Sequence, residues 1–376
     1  MAYGISRMPR PQVLSILERI EADPDRTGRG ITVAFVDSGF FPHPDLMRPD
    51  KRILAYVDAA QADPDPDDFL NPRPAAWHGT MTACAAAGNG YLSGGRYRGL
   101  ASEAKVVLIK CTDRAGAIHA KHVAHAIRFP LRHPELRVRV LNVSVGVDPR
   151  DPYAADVLAA VREVVRAGVT VFAAAGNQEG APPEPPASAA EVIAVGGWDD
   201  GNTRDPGDDT RFPGNYGGGK PDLLAPAIWL PAPMLPGTLE SREAASLFQL
   251  LSVMEERLER AEFSGRRHAM QDRDRASIEA MLAQATARIQ HQKFISTDYQ
   301  HVEGTSFAAP ITASVAAQML EVDPTLKPAE VREGLLVTAR PIEGIAPEVQ
   351  GAGLLQPLAA VQWVEEQRRM KMGAGR

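Results

Sequence analysis

Four side chains in this sequence have the types and settings that nucleophilic acyl chemistry needs: Asp37, His78, Asn177 and Ser306. Ser306 stands in Gly304-Thr305-Ser306-Phe307-Ala308-Ala309-Pro310, at the head of a run of small residues that reads as a buried helix. Its hydroxyl then lies among unpaired amide donors at the positive end of a helix dipole, where it could equally serve as an N-cap. A serine attacks near neutral pH only with a base beside it, and the base needs an anion to fix its tautomer. His78 opens a second run of small residues, and Asp37 closes an apolar run where an Asx-turn is the plain alternative. The order Asp, His, Ser is one of the convergent layouts of such a triad. Asn177, at another strand end, offers an amide donor to a developing oxyanion. A rival centre is His119, His122 and His125. Their three-residue steps drift around a helix and no zinc motif accompanies them, so they read as surface histidines, and no metal or cofactor is expected.

These groups need elements to hold them. The continuous apolar run at 31–36 suits a strand covered on both faces, and the apolar-rich stretches 53–57, 106–109, 138–143, 169–174 and 192–195 predict further strands. Between and after them, 118–129, 154–167, 306–321, 328–337 and 356–370 read as helices, and 11–22 as a short amphipathic one. Such alternation predicts an α/β fold, a doubly wound parallel sheet flanked by helices. Its active sites collect at the C-terminal strand edge, where Asp37 stands. Pro310 is placed in the first turn of its helix, where a missing N–H matters little. Residues 237–297 break the rhythm. Leu247, Leu250, Leu251, Met254 and Leu258, then Ile278, Met281, Leu282, Ala285 and Ile289 beyond Ser264-Gly265, predict a helical hairpin inserted before Ser306. Phe248 and Phe263 lie off the stripe or at its end and are assigned to a possible protein partner.

Composition bounds the rest. The 376 residues carry a formal net charge of -6, without the basic stripe of a nucleic-acid binder. No stretch is long and apolar enough to span a membrane, and Met1 to Arg10 lacks the apolar core of a secretory signal. Cys84 and Cys111 sit in apolar runs and read as buried thiols, so a cytoplasmic, reducing location is expected.

The motifs taken together resemble the subtilisin-like serine proteases. The resemblance rests on Val36-Asp37-Ser38-Gly39 with His43-Pro44-Asp45-Leu46, on His78-Gly79-Thr80, and on Ala174-Ala175-Gly176-Asn177. It continues through Ala194-Val195-Gly196, Pro221 to Pro226, Gly304 to Pro310, and Gly351 to Leu355 with Ala359-Ala360. It implies a peptidase domain over 28–376, containing the 237–297 insertion, behind an N-terminal extension at 1–27. It further implies that Ser306 is the nucleophile, His78 the base and Asp37 its orienter. Asn177 and the Ser306 N–H would form the oxyanion hole. A peptide or protein substrate would add as a strand between Gly116-Ala117 and Ser144-Val145-Gly146, with Ala174-Ala175-Gly176 walling the first specificity pocket. Glu184, before the Pro185-Pro186-Ala187 turn, would then favour Arg or Lys there. Three departures stand out: no room for a folding pro-segment, no calcium-loop residues in Gly88 to Gly99, and the insertion. The expected function is serine endopeptidase. The same acyl-enzyme serving an acyl transferase, and a catalytically silent peptide-binding module, are the alternatives.

Overall fold

Apolar strands that alternate with helices bury both sheet faces only if the helices divide between them. In the computed structural model, which describes residues 13–61, 67–263 and 272–373, that is the arrangement. Helices of two turns or more are numbered. In chain order come β1 (Thr32–Asp37), β2 (Ile53–Asp58), α1 (Ala76–Ala87), β3 (Lys105–Lys110), α2 (Ala120–Ile127), β4 (Val138–Val143), α3 (Ala154–Arg166) and β5 (Thr170–Ala174). The chain continues through β6 (Ile193–Asp199), β7 (Thr210–Arg211), β8 (Leu223–Pro226) and β9 (Leu230–Pro233). It ends with α4 (Leu239–Phe263), α5 (Asp272–His291), β10 (Tyr299–Val302), α6 (Thr305–Val322), α7 (Pro328–Thr338) and α8 (Pro357–Gly373).

The main sheet runs β2-β3-β1-β4-β5-β6, all parallel, and β6 also pairs with parallel β8 and antiparallel β7. β9 and β10 form a separate antiparallel pair. Alternation along β1 sorts its side chains: Val33 and Phe35 join the core cluster of α1, α6 and α8, while Ala34 and Val36 join that of α2 and α3. Every residue of α6 except Glu321 is buried, which explains its run of alanines: small side chains let a central helix lie close to its neighbours on all sides.

Some expectations shift. The predicted helix at 11–22 is a single turn, Ile16–Arg19, within the described residues. Ser15 and Glu18 form a capping box that starts it there, and Glu21 at φ 49 stops it. That turn packs on the domain: Ile16 joins the main core, and buried Arg19 donates its Nε to Asp200 at 3.0 Å. Pro310 lies inside α6 rather than in its first turn, so it withholds a hydrogen bond from the Ser306 carbonyl.

Helices α4 and α5 pack on each other, with Leu251, Leu258, Ile278, Ala285 and Ile289 buried. Leu247, Phe248 and Leu282 are partly buried against the main core. Ser264-Gly265 and the Phe263 side chain lie outside the described residues. At its far end the pair meets the chain that leads to Ser306. The His301 N–H donates to the Lys293 carbonyl at 2.8 Å, and Lys293 Nζ lies 2.6 Å from Glu303 Oε2.

Candidate active site

Asp37 ends β1, an inner strand of the parallel sheet between β3 and β4, and is 1% exposed. A buried carboxylate needs donors, and it has them. Oδ1 accepts from the Ser38 N–H at 2.6 Å and lies 2.7 Å from His78 Nδ1; Oδ2 accepts from the Thr82 hydroxyl at 3.0 Å. An ionised carboxylate only accepts, so His78 carries its proton on Nδ1 and turns a bare Nε2 outward. That nitrogen is 2.9 Å from Ser306 Oγ. The sequence-predicted Asp, His and Ser are thus one hydrogen-bonded chain, drawn from β1, α1 and α6.

His78 does not open its helix as expected. The helix begins at Ala76, which puts the imidazole in the first turn. Gly79 follows because α1 rests directly on the end of β1: a Cβ there would lie 2.3 Å from the Gly39 carbonyl and 2.8 Å from Asp37 Cβ. The imidazole is flanked by Trp77, centroids 5.3 Å apart, and by Phe307 at 5.6 Å. Burial opposes its charging, but the charge and hydrogen bond of Asp37 outweigh this and raise its pKa above the ordinary histidine value.

Ser306 follows Thr305 in the first turn of α6, where helices leave their N–H groups without internal acceptors. Thr305 turns Asn177 to its task. Its N–H and its hydroxyl both donate to Asn177 Oδ1 at 2.9 Å, which leaves the Asn177 amide donors facing away from the helix. Between that amide and the Ser306 hydroxyl stands Gly304, at φ 125. A Cβ on it would sit 3.2 Å from both Asn177 Nδ2 and Ser306 Oγ, so the glycine keeps the space between them open.

Pro310 frees the Ser306 carbonyl, and Ser144 takes it up: its Oγ donates to that oxygen at 2.9 Å while accepting from Asn142 Nδ2 at 2.8 Å. Ser144, expected as a substrate edge, thus braces the backbone of Ser306. Gly146 beside it is exposed, and Glu184 Oε2 lies where it would be 3.2 Å from a Cβ on Gly146. Ala174 and Gly176 are half-buried and Ala175 is buried. At the opposite edge the Gly116 N–H donates to the Asp113 carbonyl, the Ala117 N–H donates to Asp113 Oδ1 and the Ala117 carbonyl accepts from the Asp113 N–H, so of these groups only the Gly116 carbonyl is left to meet an incoming strand. A sequence can place this loop but not its internal Asx-type turn.

Of the three histidines of the rival centre, His119 precedes α2, pairs with Asp113 at 2.9 Å and lies ring to ring with His122 at 5.3 Å; among the described residues no group of three or more metal-ligating side chains is placed to hold an ion. Cys84 and Cys111 are free and buried, and burial pushes both thiol pKa values up. Among the described residues no helix is long and apolar enough to cross a membrane.

Comparison with known proteins agrees with this geometry. The profile of the subtilase family matches residues 28–355. The serine protease AprX of Bacillus subtilis (strain 168) is 29% identical over 87% of this chain and 65% of its own length. Subtilisin Savinase of Lederbergia lenta is 27% identical over 60% of this chain and 71% of its own. A thermophilic serine proteinase of Bacillus sp. (strain AK1) is 30% identical over 47% of this chain, which spans 40% of that relative. The solved structure of the prenylagaramide maturation protease PagA superposes with TM-score 0.57 at 19% identity, covering 93% of this chain and 96% of PagA, a likeness of fold.

Proposed function

The chain belongs to the subtilase family, and from that premise we propose that it is a serine endopeptidase with Ser306 as nucleophile. The observation that carries the reading is the unbroken chain of contacts Asp37–His78–Ser306, at 2.7 and 2.9 Å, beside an oriented Asn177 amide. Ser306 Oγ attacks the substrate carbonyl carbon as its proton passes to His78 Nε2. The resulting imidazolium is held by Asp37, and the oxyanion takes hydrogen bonds from Asn177 Nδ2 and the Ser306 N–H. Collapse breaks the C–N bond, and His78 returns the proton to the leaving amine. Water then attacks the acyl-enzyme by the same route in reverse, with His78 again as base.

The substrate is a peptide segment laid beside Ser144-Val145-Gly146, with Ala174-Ala175-Gly176 around its first side chain. Glu184 supports a preference for Arg or Lys there. It borders Gly146, and Arg150, which feels its charge, is held by Asp148 at 2.7 Å, leaving the carboxylate to pair with an incoming cation. The two free, buried thiols support a reducing compartment. A fluorophosphonate probe and a peptide-hydrolysis assay test the reading. Ser306→Ala should lose covalent labelling while keeping its fold, and Asn177→Leu should label but turn over about 10²–10³ more slowly. That magnitude comes from a member of this same family and not from this geometry. Hydrolysis by the Ser306→Ala chain at the parent rate would sink the assignment.

A further inference from the structure

Thr82 is the polar side chain nearest the triad for which the proposed mechanism has given no duty. It lies four residues after His78 on α1, so the two share one face of the helix, one turn apart. Both face Asp37. His78 Nδ1 meets Oδ1 at 2.7 Å, and Thr82 Oγ1 meets Oδ2 at 3.0 Å, with Thr82 fully buried. Oδ1 has further donors in the N–H and hydroxyl of Ser38, at 2.6 and 3.2 Å. The Thr82 hydroxyl has two acceptors within reach: Asp37 Oδ2 and the Gly79 carbonyl, both at 3.0 Å. It has one proton to give, and an ionised carboxylate is the stronger acceptor.

We propose that Thr82 is a positioning residue for the proposed peptidase reaction: its hydroxyl donates to Asp37 Oδ2, fixes the carboxylate plane and, through it, the proton affinity and orientation of His78. The charged and titratable groups around the pair are few. His78 faces Asp37 from α1. The Cys111 thiol, just past β3, lies 3.3 Å from the Asp37 carbonyl, and beyond it the Lys110–Asp58 ion pair closes at 2.7 Å. Without the Thr82 donor the buried carboxylate is less well stabilised as an anion, so the Asp37–His78 pair holds its proton to higher pH.

The test compares Thr82→Val and Thr82→Ser with the parent chain on one chromogenic peptide across pH. The valine variant should move the acid limb of kcat/KM to higher pH and lower plateau kcat by roughly tenfold, the size of one charge-assisted hydrogen bond. KM should hold within about twofold, since no substrate contact is removed. Serine keeps the donor and should restore both the limb and the rate. A purely structural role would lower thermal stability without moving the limb. An unmoved limb in a folded Thr82→Val chain therefore overturns the proposal and assigns the proton to Gly79. If the valine chain does not fold, Thr82→Cys, a weaker donor of similar size, should show the same shift in lesser degree, and an unmoved limb there overturns it equally. Absence of fluorophosphonate labelling in the parent chain would instead overturn the peptidase reading on which this one rests.

Discussion

At the scale of single residues, the site separates the proposed reactive groups from the groups that hold them in place. Thr305 holds the carbonyl end of Asn177, Ser144 holds the carbonyl of Ser306, and Gly304 leaves the gap between amide and hydroxyl open. The pH dependence follows from His78. It must be neutral to accept a proton, and its pKa is raised by Asp37 against the opposing effect of burial. The acid limb of kcat/KM should therefore lie above the ordinary histidine value of about 6.5, and a limb at or below it would contradict the geometry. Stability has the same sign. The pair contributes most below the unfolded histidine pKa and loses that contribution as pH rises through the raised folded value. Asp37→Asn should accordingly cost more unfolding free energy at pH 5.5 than at pH 9, as read from urea melts. Specificity is a residue-scale question too. Glu184→Gln should remove a preference for Arg over Phe before the scissile bond, and equal cleavage after both by the parent chain would dispose of that preference.

At the scale of elements, α4 and α5 stand in one unbroken stretch between β9 and the strand that leads to Ser306. Nine acidic and nine basic residues lie between Leu239 and Lys293, so net charge gives the pair no steering field. Its base is sewn to the stretch before α6 by the His301–Lys293 backbone bond and the Lys293–Glu303 ion pair, three residues from Ser306. Exposed ion pairs contribute only about 0–1 kcal/mol, so the anchor is chiefly the backbone and the apolar stripe. Replacing residues 240–293 by a short Gly/Ser loop should release the cleft or remove a dock. Faster cleavage of a small chromogenic peptide marks the first. Selective loss on a folded protein substrate marks the second, and unchanged rates on both would leave the pair without a part in catalysis.

For the molecule as a whole, the described N-terminal segment is part of the structure that the sheet and helices build. Arg19 is buried, donates its Nε to Asp200 beyond β6, and reaches the carbonyls of Ile228 and Trp229 at 2.8 and 3.0 Å. Removing one partner of such a pair leaves the other charge buried and unmatched. Arg19→Ala should lower unfolding free energy by about 3–5 kcal/mol in a chemical denaturation experiment. A loss under about 1 kcal/mol would mean that water reaches Asp200 freely.

Sequence by itself placed the six parallel strands β1 to β6, the order of the main helices, and three side chains, Asp37, His78 and Ser306, that folding joins into one hydrogen-bonded chain. Those strands are rich in apolar residues, and each of the three side chains stands at a strand end or in the first turn of a helix, features that local pattern fixes without tertiary context. Tertiary structure decided what lies beyond a turn or two of chain. The Thr82–Asp37 contact spans 45 residues and the Ser144–Ser306 contact 162, so no spacing rule announces them. The Asp113 turn takes the N–H groups of Gly116 and Ala117, and the main core partly buries Phe248. Pro310 illustrates the same divide: the sequence places it in a first turn, where no hydrogen bond is lost, whereas in the fold it lies inside α6 and the carbonyl it frees is taken up by a hydroxyl from the end of another strand, which only folding brings within 2.9 Å.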